Sequence, residues 1–205
     1  MKIGVLTICL LSLALAFQLA CSQTNSASEK TNDTSSTNSN ANESSGNAPT
    51  KILDAAAQRN NLKAQAIEAS QTIQNRDFTK LADYTHPRVF ENRTGGREQM
   101  IRESRDAIEQ LENENFKITS VEIGEPGEII AVQTQLFAIV PLNAVISAPK
   151  TKMKQSTSIV GISDDNGVNW KFVNGVNQEK FKELFPNAAD KIKIPQDGLE
   201  SVKEK

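Results

Sequence analysis

The only tyrosine and the only histidine of the chain, Tyr84 and His86, lie two positions apart, with Asp83 beside them. These are the residue types of a proton-transfer site. A carboxylate at Asp83 could abstract a proton. A phenol at Tyr84 donates a hydrogen bond to the oxyanion that forms, and an imidazole at His86 acts as acid or base near neutral pH. Consecutive residues at a helix end point in different directions, however, so the three do not all converge. The competing reading is a helix C-terminus whose cation suits the dipole and whose Tyr84 closes the core. A cluster without a motif favours that structural role.

Lys150, Lys152 and Lys154 alternate, so on a strand they share one face. Such a row binds an anion or a lipid headgroup, or it guards an edge strand against aggregation; the sequence favours the guard. Arg88, Arg93, Arg97, Arg102 and Arg105 are interleaved with Glu91, Glu98, Glu103 and Asp106, which makes a solvated, salt-bridged surface and not a nucleic-acid stripe. Asp164-Asp165-Asn166-Gly167 lacks the spacing and the closing glutamate of a calcium loop and reads as a turn. No phosphate-cradling glycine loop or serine nucleophile elbow occurs. With one histidine and two cysteines, no zinc ribbon, multi-histidine metal site or disulfide framework is expected. The sequence therefore implies no cofactor and no metal. It favours a non-catalytic module, with a small enzyme built on Asp83, Tyr84 or His86 as the alternative.

The elements that must position these residues begin near Pro49-Thr50. Ile52, Ala55, Leu62, Ala66, Ala69 and Ile73 recur at helical spacing, with Arg59 as the polar interruption, and the helix should end by Asn75-Arg76. Asp77 is an N-cap for a short second helix that buries Phe78, Leu81 and Ala82, and His86-Pro87 stops it. Arg88–Arg93 reads as a short strand and Gly95-Gly96 as a turn. Arg97–Asn113 is a third helix with Ile101, Ser104, Ile108 and Leu111 on one face.

The pattern then turns to period two. Phe116–Ile123 is a strand, Glu128–Val140 a long strand, Pro141-Leu142-Asn143 a bend, and Val145–Ile162 one or two strands with Pro149 at a bulge or edge. Asp164–Gly167 is a hairpin loop. Trp170 and Phe172 share a strand face that should press on the first helix. A short helix spans Gln178–Phe185, and residues 196–205 form a polar tail. Helices followed by a run of strands argue an α+β fold: a long N-terminal helix and two shorter helices packed on a curved, mainly antiparallel sheet over residues 51–195.

This layout resembles the nuclear transport factor two-like superfamily, the cone-shaped fold of ketosteroid isomerases and polyketide cyclases. The likeness rests on Arg76-Asp77-Phe78 through His86-Pro87, on Gly95-Gly96-Arg97, and on Asn169 to Gly175. It implies a pocket at the open end of a cone. It leaves enzyme and binding module both open, because the fold hosts both.

The N-terminus reads as an address. Met1-Lys2 precedes an apolar run, Ile3–Phe17, too short for the roughly 20 residues of a membrane span and of the length of a signal core. Ala20-Cys21 at its end resembles the lipobox of bacterial lipoproteins, with Gln18 and Leu19 departing from the usual pattern. The resemblance implies that residues 1–20 are removed and that Cys21 carries the acyl chains that hold the protein on a bilayer. Ser22 after the cysteine implies the outer membrane of a Gram-negative host; in a Gram-positive host the site is the outer face of the plasma membrane. The alternative is a soluble secreted protein. Cys9 lies in the signal core, so no thiol follows residue 21. Ser22–Thr50 is about two thirds Ser, Thr or Asn without a large apolar side chain and should stay a flexible tether, with an r.m.s. span of about 30 Å. The expected partners are the bilayer, through Cys21, and an apolar small ligand or an envelope protein; nucleic acid is not expected at a net charge of −2.

Overall fold

The computed structural model describes residues 53–91 and 94–202. The expected signal segment, Cys21 and the tether lie outside them. The fold is α+β, with four helices and a six-stranded, open, antiparallel sheet among the described residues.

Helix α1 spans Ala55–Gln74 and starts where the Asp54 carboxylate accepts a hydrogen bond from Ala57 N at 2.7 Å. Helix α2, Phe78–Tyr84, is capped the same way by Asp77, which accepts from Lys80 N at 3.0 Å. Helix α3, Gly96–Asn113, leaves a left-handed turn at Gly95 (φ 81°). Phe78, Ala82, Met100 and Ile101 close the joint between α2 and α3. Of the expected strand at Arg88–Arg93, 92–93 lie outside the described residues, and the described part, 88–91, forms no strand: a 3-10 turn spans Pro87–Val89. Pro87 sits at its first position, and His86 Nδ1 accepts from Arg88 N at 3.2 Å, so local capping wins over an apolar alternation too short to find a partner.

Two long strands form the middle of the sheet. Strand β3, Gln135–Ala148, pairs with β4, Thr151–Ser163, from Leu136↔Ser163 to Ala148↔Thr151. The outer side of β3 carries β1 (Lys117–Ile123) and β2 (Ile130–Val132). The outer side of β4 carries β5 (Lys171–Asn174) and β6 (Gly198–Val202). The expected long strand over Glu128–Val140 is broken, with Gln133 at φ 55° between β2 and β3. The expected bend at Pro141-Leu142-Asn143 does not form, and β3 runs through it. Pro141 O accepts from Gly124 N at 2.8 Å. The missing proline N–H therefore falls where β3 faces the loop between β1 and β2, not a ladder strand.

Helix α4 (Gln178–Leu184) forms where the short last helix was expected, whereas residues 196–205, expected as a tail, include β6. The lysine row also differs from expectation: Lys150 lies in the hairpin turn, while Lys152 and Lys154 stand opposite Val202 and Glu200 of β6. β4 is thus an internal strand and needs no guard against edge pairing.

Both sheet faces are buried over part of their length. On one, Leu62, Ala66 and Ala69 of α1 pack on Ala138, Val140, Ile159, Trp170 and Phe172. On the other, Phe181 of α4 and Phe185 just after it, with Ala188, Ala189 and Ile192, pack on Phe137, Val160, Ile162 and Val173. Polar side chains of α1 also fix the β4–β5 loop. Gln58 donates to Asn166 O, Asn61 to Gly167 O and Gln65 to Val168 O, and Gln65 Oε1 accepts from Trp170 N. Trp170 is fully buried, its Nε1 donating to Gly167 O at 3.1 Å.

Candidate functional site

The three candidate residues leave the end of α2 in three directions. Asp83 turns outward and pairs with Arg97 of α3, which also donates to Thr79 O. Tyr84 turns toward α1, where its hydroxyl donates to the Glu68 carboxylate and its ring lies 6.4 Å from Phe172. His86 passes to the opposite sheet face and meets the edge of Phe185 at 5.0 Å. Its backbone N donates to Phe172 O at 2.9 Å, so the segment after α2 is stitched to β5. No two of the three side chains face a common space.

Their electrostatics agree with those positions. Burial, the hydrogen bond to Glu68 and the charge of Glu68 push the Tyr84 phenol up to about 12. It stays un-ionised at neutral pH. Burial holds the His86 imidazole below its usual range, with Asp164 and Glu91 opposing that shift and Arg88 and Lys171 adding to it. A neutral His86 packed on Phe185, beneath an Arg88 guanidinium 5.0 Å from the same ring, is a core residue at the end of its helix. Among the described residues no three His, Cys, Asp or Glu side chains gather as metal ligands. The Asp164–Gly167 turn is held internally. Asp165 accepts from Asn169 N at 2.8 Å and from Ser163 Oγ at 2.9 Å. Burial alone would raise this carboxyl, but those bonds outweigh it and keep the group below its ordinary value.

A concave space among the described residues lies elsewhere, between the C-terminal end of α1 and the sheet. Ser70 and Ile73 of α1 face Ile118 and Val121 of β1, Leu142, Ala144 and Ile146 of β3, and Gln155 and Thr157 of β4, with Asn174 and Asp197 at the rim. The cleft encloses about 40 Å3, room for about three waters or for the tip of an apolar chain. Its walls are mainly aliphatic. Its one titratable lining group, Asp197, accepts from Thr157 Oγ1 at 2.5 Å. A carboxylate already engaged, without an acid beside it, is not an acid–base couple. Thr157 and Asp197 also pin the chain just before β6, so the cleft rim and the last strand are one construction.

Of the cleft residues Ile73 was visible in the sequence as part of the apolar stripe of the first helix, and none was a candidate site residue. Period two placed Gln155 and Thr157 on the face opposite Lys152 and Lys154, and a Gln–Thr pair between Met153 and Ile159 on the buried face was the one available signal. Asp197 gave none. Comparison with protein-family models, with curated proteins and with solved structures finds no match to this chain. No helix among the described residues is long and apolar enough to cross a membrane.

Proposed function

We propose that this protein is an envelope lipoprotein, anchored by acyl chains on Cys21 and a tether reaching to residue 50. Its domain is a cone of the nuclear transport factor two-like kind and serves as a non-catalytic binding or scaffold module. The observation that carries the non-catalytic reading is the divergence of Asp83, Tyr84 and His86 onto Arg97, Glu68 and Phe185. The cleft beside α1 supports binding of an apolar group, because aliphatic walls with a few polar rim atoms gain by excluding water and gain little by chemistry. Anchoring is supported by the apolar core that ends in Ala20-Cys21.

One experiment tests both parts. The protein is purified from the envelope of its host, and the intact mass and any retained ligand are read by mass spectrometry. A diacylated or triacylated Cys21 at the new N-terminus, and membrane release of Cys21→Ser with the domain still folded, are the expected results. A soluble wild-type chain starting at another residue would refute the anchor. Loss of a cellular phenotype on His86→Ala in a normally folded protein would refute the non-catalytic reading.

A further inference from the structure

The second face of the sheet is covered over only part of its length. Phe181 and Phe185 seal it at Val160 and Ile162 of β4. Beyond Ser158 the same face of β4 continues through Ser156, Lys154 and Lys152, all exposed. The register sets the neighbours. Lys117 of β1, Ser147, Lys152 and Val202 form one row across the sheet, and Val145, Lys154 and Glu200 the next, with Ser120 beside Val145. Lys150 stands in the turn at the end of these rows. Strands about 4.8 Å apart and rows about 7 Å apart put the Lys117, Lys152 and Lys154 ammonium groups on one side of the sheet.

Among the described residues four lysines face two glutamates, Glu122 and Glu200, in this region, while the whole chain has net charge −2. The local sign is thus opposite to the global one. The side chains between the lysines are Ser, Thr, Asn and Val, and Val202, 42% exposed, lies on the same face at the open edge. A cationic, lightly apolar sheet face with no helix of the described residues over it is complementary to an anionic surface.

We propose that this exposed lysine face, Lys117, Lys150, Lys152 and Lys154, docks the domain onto anionic phospholipid headgroups. The inference rests on the anchored reading, which holds the domain within about 30 Å of a bilayer, where a weak surface attraction acts as an intramolecular equilibrium. Docking lays the sheet against the membrane. The cleft opens on the opposite face of the same strands and so points away from the lipid. The lysine row then works as an electrostatic latch, setting the height and orientation of the cleft.

The test uses the acylated chain reconstituted in vesicles. Once Cys21 is acylated no thiol remains, so Ser120→Cys on the docking face and Glu109→Cys on α3 each take a single fluorophore. Energy transfer to an acceptor lipid reads their height. Vesicles are phosphatidylcholine alone or with about 30% phosphatidylglycerol. Flotation with vesicles reports the anchor, and transfer reports docking, so the two ideas fail separately. The expected result is stronger transfer from the Ser120→Cys label on anionic vesicles than on neutral ones, lost at about 1 M salt, where screening falls to about 3 Å, with little change at Glu109→Cys. Lys152→Gln with Lys154→Gln, both exposed and compatible with the fold, should lower the docked-to-undocked ratio about 25-fold, at about fivefold per lysine. Lys117→Gln, on a different strand, should lower it about fivefold. Equal transfer on neutral and anionic vesicles, insensitivity to the lysine variants, or transfer that follows protein density instead of lipid charge would each overturn the proposal.

Discussion

Gly161 of β4 lies directly beneath Leu62 of α1, and its replacement gives a clean test of the packing. A Cβ at this position would sit 2.5 Å from Leu62 Cδ1, 3.3 Å from Trp170 Cε3 and 3.5 Å from a Phe172 ring carbon. Leu62 is fully buried, so it has no open space to swing into. Gly161→Ala should therefore destabilise the domain by about 1–3 kcal/mol, as overpacking does, despite the small backbone-entropy gain alanine brings. Leu62→Ala alone should cost about 2–5 kcal/mol. Together they should cost less than the sum, because the new methyl enters space the leucine vacated. The coupling should be favourable by about 1–3 kcal/mol, the size of the relieved clash. Trp170 is the only tryptophan and is buried at the same contact, so its fluorescence follows urea unfolding of all four proteins without an added probe. Additivity within about 0.5 kcal/mol, or a neutral Gly161→Ala, would show that α1 does not press on β4 as described.

Two titrations follow from single residues. Because burial lowers the His86 pKa in the folded state, the unfolded chain binds more protons as pH falls below about 6.5. Stability should then be flat above that value and decline below it toward the folded-state pKa. His86→Asn should flatten that slope in chemical denaturation at stepped pH, and an unchanged slope would clear His86 of the effect. Tyr84 is the sole tyrosine, so ultraviolet absorbance of the folded protein should give one phenol titration with a midpoint of about 12. Glu68→Gln should move it down; a wild-type midpoint near 10 would mean that the contact with Glu68 is open in solution.

The parts of this fold legible in the sequence are those fixed by neighbours in the chain. Asp77 announces α2 because an N-cap acts over three residues, and His86-Pro87 ends it for a reason internal to the dipeptide. The same local logic misreads Pro141, whose tolerance inside β3 depends on Gly124 accepting the geometry from a different segment. It misses β6, all of whose residues are exposed. That strand carries no buried alternation, and its place is set by backbone pairing to Lys152–Ser156 and by the Thr157–Asp197 bond. The cleft was invisible for a related reason. α1, β1, β3, β4, β5 and the segment before β6 each give it one to three residues, and no local spacing encodes their meeting. The Asp83–Tyr84–His86 cluster was conspicuous only because it was local. Its three side chains serve three separate contacts.

Strand β4 ties these features together through its period of two. On one face it offers Gly161 and Ile159 to α1, then Thr157 and Gln155 to the cleft. On the other it offers Ile162 and Val160 to α4, then Ser156, Lys154 and Lys152 to solvent. Shifting its pairing with β3 by one residue would exchange the faces, driving Lys152 and Lys154 toward the aliphatic walls and Gln155 outward. Such a slip would also replace Gly161 beneath Leu62 with a side chain that cannot fit there. The close approach at Gly161 and the charges at Lys152 and Lys154 thus enforce the same register from opposite ends of the strand. Cleft and cationic surface are two consequences of that one alignment, so a variant that shifts the register should lose both together.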